Sequence, residues 1–118
     1  MKPLERDAAH LWDMLDAARQ TAGFAAGIGL DQLLADVRTR YAIERSLEII
    51  GEAARRVSPQ TRADHPEIPW AGIIGFRNVL AHEYGAIDYR RLYAVVADGV
   101  PGLIIALEAI LDSLEDTE

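Results

Sequence analysis

The chain contains no cysteine. Disulfide staples and thiolate metal sites are excluded, and a reducing, cytoplasmic compartment is the expected setting. Long apolar runs are also missing: no uninterrupted stretch approaches the length a membrane span needs, so no membrane is expected as a partner. The N-terminus reads Met1-Lys2-Pro3-Leu4-Glu5-Arg6-Asp7, charged from the start and without the hydrophobic core of a secretion signal. Internal repeats, low-complexity runs and interdomain linkers are lacking too, and 118 residues is a common size for one core. A single domain over residues 1–118 is the expectation. Lysine is nearly missing, with Lys2 alone beside eleven arginines. Arginine grips phosphate oxygens in pairs where lysine acts as a point charge; GC-rich codon usage produces the same bias and is the simpler explanation.

What is present is an ordinary globular composition, 50% hydrophobic and 26% charged, with a formal net charge of −7. The acid is unevenly placed. Asp98, Glu108, Asp112, Glu115, Asp116 and Glu118 close the chain without a single base, leaving 13 acids against 12 bases before them. This balance excludes a broad nucleic-acid-binding surface but permits a local phosphate site. The acidic end itself suits contact with a partner or simple solubility.

The apolar pattern has helical periodicity, and no segment shows the strict alternation of an exposed strand. An all-α bundle of four to five helices follows. Pro3 suits a first helical turn, and Leu4, Ala8, Leu11, Leu15, Ala18 and Ala22 form one stripe up to Gly23, Gly27 and Gly29. Asp31 is the expected N-cap of a long second helix, whose stripe of Ile43, Leu47, Ile50, Ala54 and Val57 ends at Ser58-Pro59. Residues 59–69, with three prolines, read as a loop with at most a short helical turn. Pro69 can open a third helix through Trp70, Ile73, Ile74 and Leu80 to about His82, with Gly85 placed for a left-handed cap. Asp88 looks like the N-cap of the last helix, in which Gly99-Val100-Pro101-Gly102 predicts a kink or a break.

One segment carries chemistry: Arg77-Asn78-Val79-Leu80-Ala81-His82-Glu83-Tyr84. Asn78 and His82 lie one turn apart on one helix face, while Arg77 and His82 are separated by about 140° around the axis. Only the long side chain of Arg77 can bring both groups to one substrate. A histidine takes or gives a proton near neutrality, and an arginine stabilises charge developing on a phosphodiester. The pair suits RNA cleavage by attack of the ribose 2′-hydroxyl on its own phosphate, a reaction that needs no metal and spares DNA. His82 is the only histidine of the segment, so a second one requires a second copy of the chain, which points to a homodimer. The spacing alone also fits a histidine interacting with the last carbonyls of its helix, a solvated Asn78 and a core Tyr84.

The segment resembles the Arg-x4-6-His signature of HEPN domains, in its Arg-Asn-x3-His-x-Tyr form. With Ile50-Gly51-Glu52-Ala53-Ala54, Pro66-Glu67-Ile68-Pro69-Trp70 and the extension Ile74-Gly75-Phe76 ahead of Arg77, it is similar in order and spacing to the HepT branch of that family. The resemblance implies a metal-independent endoribonuclease toxin of a type VII-like HEPN/MNT toxin–antitoxin system, acting as a dimer with the signature helices lining one cleft. Arg77 and His82 are then catalytic and Asn78 supports them. It also implies an antitoxin partner, a minimal nucleotidyltransferase of the MNT type that attaches AMP to Tyr84. AMP there places bulk and negative charge where the RNA phosphate must sit. An alternative is a non-catalytic helical module that binds such a nucleotidyltransferase and accepts AMP on Tyr84; a helical dimerisation domain without chemistry is a third.

Other residues offer less. Glu52 reads as a helix-face carboxylate holding a neighbouring arginine, with an approach to the cleft as the second reading. Glu44 and Glu48, one turn apart, lack a further ligand and read as a solvated face rather than a metal site. Arg55, Arg56 and Arg62 can guide RNA but are also ordinary helix-end arginines, and Trp70 suits a core anchor better than a base-stacking platform. With no glycine-rich phosphate loop or serine–histidine pair, no cofactor and no metal are expected.

Overall fold

The computed structural model describes residues 3–82, 85 and 87–116, with side chains described between Glu5 and Glu115. Every regular element among them is helical: α1 (Pro3–Ala25), α2 (Leu30–Ala35), α3 (Val37–Arg56), α4 (Pro59–Asp64), α5 (Trp70–His82), α6 (Tyr89–Ala94), a π-helical turn (Val95–Gly99) and α7 (Val100–Asp116). The all-α architecture is the one the periodicity predicts.

Capping residues explain most of the boundaries. The expected long second helix is split in two, because Asp36 and not Asp31 is the N-cap of α3. Asp36 takes an extended conformation and its carboxylate accepts from the backbone N–H of Thr39 at 3.2 Å. Asp31 lies instead in the first turn of α2, where a negative charge is favoured. Ser58 caps α4, the short helical turn allowed for in the proline-rich stretch, and Asp88 caps α6 by accepting from the N–H groups of Arg90 and Arg91. The left-handed glycine is Gly27 after α1 (φ 73°), not Gly85.

The expected kink or break at Pro101 takes the form of a widened turn. Pro101 has no N–H for the carbonyl of Ala97 and its ring crowds that carbonyl. Spreading the preceding turn to five-residue spacing relieves both, and the N–H of Val100 bonds to Val95 O. The helix therefore runs on. Tyr89–Glu115 is one 27-residue helical stretch whose most apolar window reaches a mean hydropathy of 2.0, enough by length and composition to cross a membrane. This differs from the expectation drawn from uninterrupted apolar runs, which did not count helix continuing through the Pro-Gly segment. Leu92, Val96, Val100, Leu107, Ile110 and Leu111 of this stretch are buried in the core, while only 33% of its most apolar window is buried and Ile105 is exposed.

α3 lies between α1 and α5, and α7 packs on α1. Leu11, Met14, Leu15 and Ala18 of α1 meet Ile43, Leu47, Ile50 and Ala54 of α3, with Leu80 of α5 and Leu107 of α7 completing the same cluster. Each leucine, isoleucine or methionine among them contributes about 1.5–3 kcal/mol on burial. Two polar contacts pin α1 into this arrangement. Thr21 donates to the hydroxyl of Ser46 (2.7 Å), which donates to the carbonyl of Ile43 (3.0 Å). Asp7, buried, accepts from the backbone N–H of Ser58 (2.9 Å), the Ser58 hydroxyl (2.6 Å) and the Thr61 hydroxyl.

Burial alone would push the Asp7 carboxyl up, but the hydrogen bonds from Ser58 and Thr61 outweigh it and hold the group below its ordinary value. A depressed carboxyl stabilises the fold at pH values above its unfolded pKa, and that contribution is lost as the pH falls through the folded value. Asp7→Ala is expected to cost about 1–3 kcal/mol at neutral pH, since it takes the acceptor away from the half-buried donors of Ser58 and Thr61. Urea melts of both proteins should show the gap narrowing as the pH drops below 3.8.

Candidate active site

The site begins with a close helix crossing. α3 and α5 touch where Gly51 faces Arg77 and Ile73. A Cβ built on Gly51 would collide with the Cβ of Arg77 and lie 2.8 Å from its Cγ and 3.1 Å from the Ile73 carbonyl. Only glycine admits this approach. The stem of Arg77 is therefore packed on the α3 backbone, and its side chain is only 14% exposed.

The guanidinium emerges beside Glu52. Its Nη2 donates to Glu52 Oε2 at 2.7 Å, and its Nη1 donates to Asn78 Oδ1 at 3.2 Å. Hydrogen bonding from Arg77, followed by its positive charge, holds the Glu52 carboxyl below its ordinary value. The other Glu52 oxygen faces Arg56 at 3.4 Å and Arg55 at 3.7 Å. The sequence reading of Glu52 as the holder of a neighbouring arginine thus applies to Arg56 one turn along α3. It did not reach Arg77, which arrives from another helix. Gly51 was missed as a determinant; an isolated glycine inside an amphipathic helix was the available signal.

Asn78 and His82 fall on a different face of α5. With Ala71 and Gly75 they form an exposed stripe at spacings of four, three and four residues. The structure thus brings Arg77 and Asn78 into contact, and leaves His82 exposed at the last position of α5, one turn beyond Asn78. Tyr84 lies outside the described residues.

The remaining candidates separate clearly. Glu44 is buried, not solvated: Tyr89 donates to its Oε1 at 3.2 Å, and burial pushes its carboxyl up against that hydrogen bond and the charge of Arg40. Glu44 faces α6, an element the helix-face reading could not place. Glu48 pairs with Arg45 at 3.3 Å. Trp70 is a core anchor, as expected, with its indole N–H donated to the His65 carbonyl at 2.9 Å. Beside the crossing, an apolar groove of about 460 Å³ runs between α5, α3 and α7, lined by Ile73, Phe76, Val95 and Leu103, with Arg91 stacked 5.3 Å above Phe76 at its edge.

A protein-family model described as Ribonuclease HepT-like matches residues 14–110. The chain is 36% identical over 102 residues to "Putative RNase MJ1380" of Methanocaldococcus jannaschii, which covers 86% of this chain and 94% of that protein. It is 35% identical over 103 residues to "Probable ribonuclease HepT" of Thermococcus cleftensis, covering 87% and 92% respectively. No solved structure matches the chain.

The Gly51 crossing makes a direct test. Alanine is intrinsically the better helix former by about 1 kcal/mol, yet Gly51→Ala should destabilise the protein by about 1–3 kcal/mol because the added methyl overpacks the crossing. Chemical denaturation decides it, and a neutral or stabilised variant would remove the close approach of α3 and α5.

Proposed function

The chain belongs to the HepT-like ribonuclease family, and from that premise we propose that it is a metal-independent endoribonuclease in which Arg77 and His82 carry the chemistry and Asn78 supports them. The observation that carries this reading is the state of Arg77. Its stem is immobilised on Gly51, and its guanidinium is aimed by Glu52 and Asn78. With its stem already fixed, the guanidinium has only its distal group to place when it stabilises charge on a phosphodiester. A surface arginine without such support has its whole side chain to place.

The reaction follows from the residue types. The ribose 2′-oxygen attacks the adjacent phosphorus, the bond from phosphorus to the 5′-oxygen breaks, and a 2′,3′-cyclic phosphate and a 5′-hydroxyl result. Arg77 holds the phosphate oxygens as charge develops on them. The proton leaving the 2′-hydroxyl goes to one imidazole, and the 5′-oxygen receives a proton from another. One chain offers only His82 in this segment, so the second imidazole is assigned to His82 of a second copy in a homodimer. The exposed α5 stripe of Ala71, Gly75, Asn78 and His82 supports that arrangement. Its small residues let another helix approach closely while the two larger side chains flank the contact.

The wider setting follows the family resemblance. The chain acts as a cytoplasmic toxin in a type VII-like pair with a minimal nucleotidyltransferase of the MNT type as antitoxin. That partner silences it by transferring AMP from ATP to the hydroxyl of Tyr84, with release of pyrophosphate. The absence of cysteine is compatible with the compartment.

Two measurements test the proposal. A mixed RNA pool incubated in excess EDTA should be cut by wild-type protein, and His82→Ala should cut about 100-fold more slowly or worse; undiminished cleavage by that variant removes His82 from the chemistry. If neither protein cuts, the non-catalytic module that accepts AMP becomes the better reading. Intact mass after incubation with the nucleotidyltransferase and ATP should rise by one AMP for wild type and stay unchanged for Tyr84→Phe. Addition that persists in Tyr84→Phe places the modification elsewhere.

A further inference from the structure

We infer that Glu52 is a latch on Arg77: its carboxylate holds the guanidinium in the α3–α5 crossing until a substrate phosphate takes it over, and Arg55 and Arg56 then keep the carboxylate paired. The inference rests on the reading of Arg77 as the phosphate-holding group and goes beyond it by naming what that group must leave in order to act.

The geometry supplies both halves of the exchange. Arg77 bonds one oxygen of Glu52 at 2.7 Å, while Arg56 and Arg55 stand at 3.4 and 3.7 Å from the other. Three guanidinium groups therefore share one carboxylate, two of them from its own helix at i+3 and i+4. Breaking a partly buried ion pair ordinarily strands a charge, which is costly. Here the stranded partner would be a carboxylate with two further cations already beside it. Transfer of Arg77 from carboxylate to phosphate thus replaces one charge-assisted hydrogen bond by another. Gly51 confines the motion, because the Arg77 stem is fixed at Cβ and Cγ and only the distal group can swing.

The surrounding charges set the direction of approach. A cleft of about 180 Å³ beside Glu52 is lined by Asp13, Asp16 and Gln20 of α1 together with Arg56. The two aspartates repel a phosphate from that side. On the other side of the guanidinium, Nη1 meets Asn78, which shares its exposed face with His82. A phosphate entering there meets Arg77 beside Asn78, and moves the guanidinium away from Glu52 as it binds.

The latch predicts that wild-type protein holds RNA more weakly than Arg77 alone would allow. The test uses a fluorescent 2′-O-methyl RNA oligonucleotide, which lacks the attacking hydroxyl, with binding read by anisotropy at one fixed salt concentration. Glu52→Gln should bind it about two- to fivefold more tightly than wild type, the scale of one partly exposed ion pair. Glu48→Gln removes the same charge one turn away and should give no such gain. Glu52→Asp keeps the charge but shortens the reach, and should shift binding in the same direction as Glu52→Gln. Adding Arg77→Ala to Glu52→Gln should erase the gain. Binding no tighter in the two Glu52 variants than in wild type overturns the latch, as does a gain that Glu48→Gln matches or that survives the loss of Arg77. The expected binding pattern in a protein that never cleaves natural RNA would overturn the ribonuclease reading and leave the latch standing.

Discussion

Arg77 lies against the backbone of Gly51, and most of what the site can do descends from that contact. A side chain at position 51 would push α5 off α3, moving Ile73 as well as Arg77, since both face the same point of the crossing. Because the arginine stem is held there, the guanidinium has few places to go and finds a carboxylate and a side-chain amide already in reach. Preorganisation of this kind is inexpensive for the protein. The entropy of the long side chain is lost when the helices pack, not when a substrate arrives.

The same crossing gathers cations in an otherwise acidic chain. With a net charge of −7 the molecule as a whole repels phosphate. At one place Arg55, Arg56 and Arg77 converge on Glu52, while Asp98, Glu108, Asp112 and Glu115 carry their charge on the last helical stretch. That last helix is held as a core element by its apolar side chains, and the π-helical turn before Pro101 lets it continue without giving up its packing on α1. A break at that point would have separated Leu92 and Val96 from Leu107 and Ile110, which now belong to one cluster.

Much of the fold was legible in the sequence because its determinants are local. Periodic apolar residues marked the helices, Ser58-Pro59 marked the end of α3, and Asp88 marked the start of α6. The split between α2 and α3 was not legible, since Asp31 and Asp36 are both plausible caps and the choice depends on which turn can pack. Glu44 was misread for a related reason. Its position on the helix looks solvated until α6 returns and covers it with Tyr89. A left-handed turn was expected at Gly85, whereas the path of the chain places one at Gly27 after α1.

The site divides along the same line. The sequence by itself determined the helix that carries Arg77, Asn78 and His82, the angular separation of those side chains, and the family the chain resembles, because each depends on residues within one or two helical turns. Only the tertiary structure decided which carboxylate Arg77 meets. Glu52 is 25 residues away in the chain, and no local rule links a helix position to a partner at that distance. The link is made by packing: α3 and α5 bury their apolar faces together, Gly51 lets them close to backbone contact, and the ion pair forms where that contact leaves room for it.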